Sequence, residues 1–301
     1  MSQPLAKQIE NFLTYLREVR QLSPHTLDNY GRDLAELCAW CEGQQLLQAS
    51  AISSAGIRYY ASHLHRRGLA GSSIQRKLSA IRSFYNYLGR RQQVSHNPAN
   101  GVQAPKRGRR LPKTLDVDQM GQFLKPQSAD PLELRDIAMA ELFYSSGLRL
   151  AELAAINVDD IGPDTGLVTV LGKGSKTRTV PVGAMALEAI EAWRKVRPRL
   201  AEETALFTSN RGQRISVRNI QARLRRLGRR AGLAQPLHPH MLRHSFASHM
   251  LESSGDLRAV QELLGHASIS STQIYTHLDF QHLAKVYDEA HPRARRRSAK
   301  D

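Results

Sequence analysis

Six residues between positions 149 and 275 carry side chains suited to attack on a phosphodiester. In chain order they are Arg149, Lys173, His240, Arg243, His266 and Tyr275. A tyrosine becomes a nucleophile once its phenol, with a pKa of about 10, loses its proton. An arginine stays charged and can donate two bonds to phosphate oxygens, and a lysine can give a proton to a leaving oxygen. Together these side chain types indicate covalent cleavage of a nucleic acid backbone.

Local signals predict the helices that position four of these residues. A proline before His240 favours a helix start there, and His240 and Arg243, three apart, then share one face. Gly265 suits a helix C-terminus, which places His266 on the following turn. Tyr275 falls in the next predicted helix, which spans about 271–289.

The other two residues are predicted on a helix start and on a hairpin. Arg149 opens a helix just after Gly147. Two β-rich segments, 166–171 and 178–182, flank a glycine-containing basic tip that carries Lys173. A lysine on such a tip can reach a DNA groove, whereas a lysine in the middle of a helix would be fixed.

The pattern predicts a mainly α-helical chain with a small β-hairpin, in two domains. Residues 1–100 read as a helical unit, in which Ser23 and Pro24 mark a helix start. Residues 101–112 read as a basic linker, which either lies along a DNA backbone or is a solvated tether. Further helical patterns in the second domain cover about 131–156, 184–196, 216–231, 240–252 and 256–264.

The charge balance points to a polyanionic partner. Among 301 residues, 43 Lys and Arg stand against 27 Asp and Glu, which gives a net charge of +16. Such a surplus favours nucleic acid ahead of a membrane, and binding should weaken steeply with salt. A merely soluble basic protein remains the alternative on charge alone.

Other classes of protein find little support in the sequence. The N-terminus has no apolar signal segment and no apolar run approaches the roughly 18 residues of a membrane helix, so a cytoplasmic location is expected. Cys38 and Cys41 are predicted to be reduced residues on one helix. No metal is expected, because His240 and His244 lack the glutamate of a zincin motif. No cofactor is expected either, because the run 172–177 does not meet the Walker pattern.

The joint pattern resembles the tyrosine recombinase (phage integrase) family across residues 110–291, and residues 23–34 resemble its helical core-binding domain. The resemblance implies a SAM-like DNA-binding domain over 1–100 and a mixed α/β catalytic domain over 113–301. It further implies that Tyr275 is the nucleophile and forms a 3′-phosphotyrosyl link. Lys173 would be the general acid, and His240 would assist proton transfer from Tyr275.

By the same resemblance, three residues would contact the phosphate. Arg149 and Arg243 would hold the scissile group, and His266 would donate to one of its oxygens. Glu152, three residues after Arg149, is predicted to orient that arginine.

Within the family, residues 278–284 and 291–294 resemble the bacterial Xer subgroup, most of all its XerC-type members. This implies double-stranded DNA with a dif-like site, a heterotetramer with a XerD-like recombinase, and control by an FtsK-like DNA translocase. It also implies that the C-terminal helix packs into a neighbouring subunit, with candidate contacts at Phe280, Leu283, Val286 and Tyr287. Packing of the same residues within one chain is the alternative.

Three other functions share some of these features. An integrase or invertase of a mobile element shares the chemistry, but such integrases often carry an extra arm-binding domain at the N-terminus. A type IB topoisomerase resembles the site but relaxes supercoils without exchanging partners. A non-catalytic DNA-binding protein would have no reason to keep the whole reactive set.

Overall fold

The computed structural model describes residues 3–105, 114–125, 127–162, 165–172, 177–265 and 277–294, without the side chains of 277–282 and 284. The chain divides into two compact units, Met1–Arg110 and Leu111–Asp301. Within the described ranges, every helix is too short or too polar to span a bilayer. Both units are mainly helical, as the sequence predicts.

The first unit is built from helices joined by short turns. They are α1 (Leu5–Glu18), α2 (Pro24–Glu42), α3 (Ser54–Arg66) and α4 (Gly71–Arg90), with a 3-10 turn at Ala49–Ala51. The predicted start of α2 is confirmed, because the Ser23 side chain accepts from the backbone N–H of Thr26 and Pro24 occupies the first turn. Both cysteines lie on α2 and are free. Burial raises the pKa of the Cys41 thiol to about 12, which suits an inert, reduced residue.

The core of the first unit includes the chain that follows α4. Phe12 of α1 packs against Phe84 and Tyr87 of α4. Beyond α4, Val102 is buried in the same cluster, and its carbonyl accepts from Arg82 at 2.7 Å. Residues 99–105 therefore pack on the helical unit, although the sequence pattern starts the linker at 101.

The second unit combines helices with a small sheet. Its elements are α5 (Val117–Phe123), α6 (Pro131–Ser146), α7 (Leu150–Ala155), a 3-10 turn (Val158–Asp160), β1 (Ile161–Gly162), β2 (Leu167–Leu171), β3 (Thr177–Pro181), α8 (Ala184–Val196), α9 (Val217–Arg230), α10 (Pro239–Ser254), α11 (Leu257–Leu264) and α12 (His277–Ala290). The predicted helices agree with α6 through α11 to within two residues at their ends. The sequence pattern missed α5 and the two-residue β1.

The sheet is antiparallel in the order β1-β2-β3, and it confirms the predicted hairpin. Leu171 pairs with Thr177 at the tip, and Val170 pairs with Arg178 one step further in. Val168 and Val180 form a buried cross-strand pair that fixes the register of the hairpin against the core. The register also fixes the position of Arg178 on β3, opposite Val170.

The core of the second unit surrounds α6. This helix is buried along most of its length and packs against α8, α9 and α10. Tyr287 of α12 is 1% exposed and shares a hydrogen bond of 2.7 Å with Ser145 of α6. Leu283 is buried in the same core, and Val286 packs against it. Of the residues considered for contact with a neighbouring subunit, these three therefore pack within the chain, and the side chain of Phe280 lies outside the described set.

Candidate active site

Arg149 is positioned by a sharp turn between α6 and α7. Gly147 ends α6 with a φ of +57°, and the chain re-enters a helix three residues later. There the Glu152 carboxylate accepts from the backbone N–H of Arg149 at 2.7 Å and from its guanidinium at 2.8 Å. The second guanidinium nitrogen of Arg149 donates to the carbonyl of Gly265 at 2.9 Å. The predicted helix start at Arg149 and the C-terminal position of Gly265, with a φ of +63°, are both confirmed.

Arg243 reaches the same turn from α10. This helix begins at Pro239, and the ring of His238 accepts from the backbone N–H of Met241 at 3.1 Å. The guanidinium of Arg243 donates to the carbonyl of Gly147 and to that of Leu264. Since Leu264 precedes Gly265, Arg149 and Arg243 hold adjacent carbonyls at the end of α11. The two predicted phosphate-binding arginines therefore converge.

A second arginine shares the Glu152 carboxylate. Arg178, on β3, donates to both of its oxygens, at 2.5 and 2.9 Å. The side chain of Glu152 is only 3% exposed. Burial alone would raise the pKa of this carboxyl, but the hydrogen bonds from Arg178 and Arg149 outweigh it and hold the pKa below its ordinary value. Glu152 is thus a fixed negative charge.

The cluster carries more positive than negative charge. Among the described residues of this cluster, Arg149, Arg178 and Arg243 stand against one carboxylate, that of Glu152, which leaves a surplus of two positive charges. Burial and the repulsion of Arg149 and Arg178 lower the pKa of Arg243 to about 10, so it stays protonated at neutral pH. Arg149 keeps 37% of its side chain exposed, so the cluster can be reached from solvent. Such a charge balance suits a phosphate and the further negative charge of a phosphoryl transition state.

Of the four remaining predicted site residues, the structure describes only His240. His240 lies in the first turn of α10 and is exposed. Lys173, His266 and Tyr275 lie outside the described residues. Their neighbours along the chain are placed: Leu171 and Thr177 close the hairpin, and Gly265 ends α11. Across the described ranges, no group of three or more potential metal-ligating side chains comes together.

Sequence reasoning overlooked Arg178 and the carbonyls that hold the arginines. Arg178 stands 26 residues after Glu152, and no local spacing rule links a strand residue to a helix residue at that separation. One signal was present: Arg178 is the second residue of a strand, and it shares a face with the apolar residues Val180 and Val182. Its burial against the core calls for a counter-charge.

Comparisons with known proteins decide the family. The model of the phage integrase family matches residues 113–282, and that of the phage integrase N-terminal SAM-like domain matches residues 9–92. The chain belongs to the phage integrase family of tyrosine recombinases. It is therefore a DNA strand-exchange enzyme that uses a tyrosine nucleophile.

Curated relatives place the chain with the Xer recombinases. Tyrosine recombinase XerC of Xylella fastidiosa (strain M23) is 51% identical over 294 residues, which cover 98% of this chain and 100% of the relative. Tyrosine recombinase XerC of Pseudomonas savastanoi pv. phaseolicola is 52% identical over 299 residues, which cover 99% and 100%. The resemblance to the Xer subgroup is thus confirmed.

Solved structures share the fold. XerH recombinase bound to a palindromic difH substrate gives a TM-score of 0.70 at 22% identity, covering 94% of this chain and 84% of that one. A lambda integrase dimer bound to a COC′ core site gives a TM-score of 0.69 at 20% identity, covering 91% and 100%. At these identities the likeness concerns the fold alone, and it confirms the predicted fold class.

Proposed function

We propose that this Xer-type recombinase resolves chromosome dimers at a dif-like site, with Tyr275 as its nucleophile. The observation that carries the chemistry is the convergence of Arg149 and Arg243 on one turn, around a carboxylate that leaves positive charge in surplus. The role in chromosome partition and cell division is supported by full-length identity of about half to curated XerC proteins.

The proposed cleavage step is a transesterification. The phenolic oxygen of Tyr275 bonds to phosphorus while the bond to the 5′ oxygen breaks. His240 assists removal of the phenol proton, and Lys173 supplies a proton to the departing 5′ oxygen. Arg149 and Arg243 neutralise the non-bridging oxygens, a role that suits their planar, permanently charged groups. Attack by a 5′ hydroxyl on the phosphotyrosine reverses the step on a new strand.

In this proposal His266 donates to a phosphate oxygen. The family resemblance implies this role, and the place of His266 in the sequence, directly after the Gly265 whose carbonyl holds Arg149, supports it. Glu152 orients Arg149 through both the backbone and the guanidinium. Replacing Glu152 by Gln should slow cleavage by about 10- to 100-fold, since a hydrogen bond to a charged group is worth about 1.5–3 kcal/mol. Full cleavage by the Glu152→Gln enzyme would show that this orienting role is wrong.

The remaining parts of the proposal concern partners. The enzyme would bind double-stranded DNA, act in the cytoplasm, and pair with a XerD-like recombinase under control of an FtsK-like translocase. An exposed basic face on α9 supports the DNA contact, with arginines at Arg218, Arg225, Arg226 and Arg229. The XerC relatives support the choice of partner.

The test uses a nicked duplex that carries a candidate dif core. The nick lets the cleaved fragment diffuse away, so the covalent intermediate accumulates. Wild type and Tyr275→Phe are compared on a denaturing gel, with and without a XerD-like partner. The expected result is a shifted protein–DNA band that Tyr275→Phe abolishes and that the partner strengthens.

Other outcomes point elsewhere. A band that does not depend on the partner would favour a mobile-element recombinase. Relaxation of supercoiled DNA without a core site would favour a topoisomerase. Binding to the core without any covalent band, with or without the partner, would contradict the proposed cleavage.

A further inference from the structure

Arg178 contacts both residues that hold Arg149. The described acceptors of the Arg149 guanidinium are the Glu152 carboxylate and the Gly265 carbonyl. Arg178 donates to both oxygens of that carboxylate. It also lies against Gly265, where an added Cβ would fall 3.0 Å from its Cδ and 3.1 Å from its Nε. One side chain on the hairpin therefore supports Arg149 from two directions.

The geometry of this contact requires a guanidinium. Arg178 presents two parallel N–H groups to two carboxylate oxygens, a fork that lysine lacks. Its flat group also fills the space beside Gly265 in which the Cβ of any other residue would stand. A lysine could restore the charge next to Glu152 but would neither bind both oxygens nor fill that space.

Burial makes the pair sensitive to loss of one member. The side chains of Glu152 and Arg178 are 3% and 15% exposed. Without Arg178, the Glu152 carboxylate would keep one partner, Arg149, and would be free to turn toward it. Arg149 would then be drawn from the Gly265 carbonyl, because one guanidinium would have to neutralise the buried carboxylate alone.

We propose that Arg178 is a positioning residue for strand cleavage, which sets the orientation of Arg149 through Glu152 and Gly265. The inference rests on the proposed function, in which Arg149 holds the scissile phosphate. It adds a link from the β-hairpin to the phosphate-binding arginines, so that strand β3 and helices α7 and α11 act on one group. A purely structural ion pair is the competing explanation.

The test measures single-turnover cleavage of the nicked duplex by Arg178→Ala and Arg178→Lys. We expect DNA affinity to stay within a few-fold, and the cleavage rate to fall by about 10- to 100-fold in both variants. Methylguanidinium in solution should restore part of the rate to Arg178→Ala and none to Arg178→Lys, where the new side chain occupies the site. Such rescue would show that the variant lacks only a guanidinium at this site. A rate lost through global destabilisation would not be restored in this way.

Arg223→Ala is the matched control. Arg223 also joins a buried carboxylate on another element, Asp136, at 2.6 Å and with 20% of its side chain exposed. Its loss should lower the melting temperature as much as Arg178→Ala does, yet leave the cleavage rate of the bound enzyme unchanged. Equal loss of rate in both variants would overturn the proposal in favour of a structural role.

A double variant separates action through Glu152 from independent action. If Arg178 works through that carboxylate, Arg178→Ala combined with Glu152→Gln should cleave no more than a few-fold slower than Glu152→Gln alone. Fully multiplicative losses would overturn the proposed action through Glu152. A wild-type band that Tyr275→Phe abolishes keeps the proposed function standing whichever result Arg178 gives.

Discussion

At the scale of single residues, Gly147 determines the site although it has no side chain. Its left-handed backbone turns the chain from α6 into α7, which places Arg149 two residues later. Its carbonyl accepts from Arg243. The ring of Phe246 fills the space where a Cβ would stand, 2.5 Å from the Cδ1 atom. Both arginines that are proposed to bind the phosphate therefore depend on a position that only glycine can occupy without strain.

Gly147→Ala should lower the free energy of unfolding of the second unit by about 2–4 kcal/mol, since strain at positive φ and overpacking against Phe246 add together. Denaturant unfolding measures the change. Gly121→Ala is the matched control: this glycine lies inside α5 with open space around it, so alanine should stabilise by about 0.5–1 kcal/mol. Equal effects at the two positions would contradict the steric argument.

At the scale of elements, α9 separates its arginines by role. Arg223 and Arg230 pair with buried carboxylates on α6, at 2.6 Å to Asp136 and 2.8 Å to Glu133. Arg226 and Arg229 belong to the exposed set. The first pair fastens the helix to the core, and the second faces solvent, where a polyanion can bind.

Arg226→Ala and Arg229→Ala should weaken binding to any duplex and lower the slope of log affinity against log salt by about 0.9 for each phosphate that is no longer neutralised. A salt titration by fluorescence anisotropy measures the slope. Arg223→Ala should leave the slope unchanged and cost about 1–3 kcal/mol of stability, because Asp136 loses one of its two arginines. An altered slope in Arg223→Ala would contradict this division of roles.

Elements with local signals could be predicted from the sequence. The cap at Ser23 and the glycine after α11 are both predicted from neighbouring residues, and both are confirmed. The capping box that starts α5 had the same kind of signal, with Asp116 three residues before Gln119, and was overlooked. The two-residue β1 offers no period to read, because it is defined only by its pairing with β2.

The contacts that shape the site were out of reach of the sequence because they join distant segments. Arg178 meets Glu152 across 26 residues, and Arg243 meets the carbonyl of Gly147 across 96. The sequence could indicate that arginines would gather around a phosphate. It could not indicate which carbonyls and which carboxylate would hold them, since those partners depend on the packing of α7, α10, α11 and β3.

At the scale of the whole molecule, the chain after α12 packs against α6 in the core of the second unit. His291 is 5% exposed, donates from Nε2 to the Tyr144 carbonyl, and accepts at Nδ1 from the backbone N–H of Arg293. Arg293 in turn pairs with the buried Glu141 of α6. Burial lowers the pKa of His291 to about 3. Because both ring nitrogens are in use, the folded state holds this ring neutral.

The free energy of unfolding should therefore begin to fall at a pH well above the pKa of His291 in the folded chain. The unfolded chain takes up a proton near pH 6.5 and the folded chain does not, so stability falls as pH drops below about 6.5. We expect His291 to account for about 2 kcal/mol between pH 7 and 5, at about 1.4 kcal/mol per pH unit. His249, whose pKa burial also lowers, adds in the same direction.

Denaturant unfolding at pH 7 and pH 5 tests this dependence. His291→Gln should be less stable at pH 7 but should lose less on acidification than wild type. His244→Gln, at an exposed position on α10, should keep the wild-type dependence. An unchanged acid loss in His291→Gln would show that other groups cause it.

The excess of guanidinium charge around Glu152 has a thermodynamic corollary. In the free enzyme, Arg149, Arg178 and Arg243 repel one another around the Glu152 carboxylate, and burial together with that repulsion lowers the pKa of Arg243. An anion at this point binds the folded chain and not the unfolded one, so it contributes to folding through mass action. In the proposed complex, substrate binding and folding are therefore linked equilibria: the scissile phosphate held by Arg149 and Arg243 would also act as a counter-ion that stabilises the second unit.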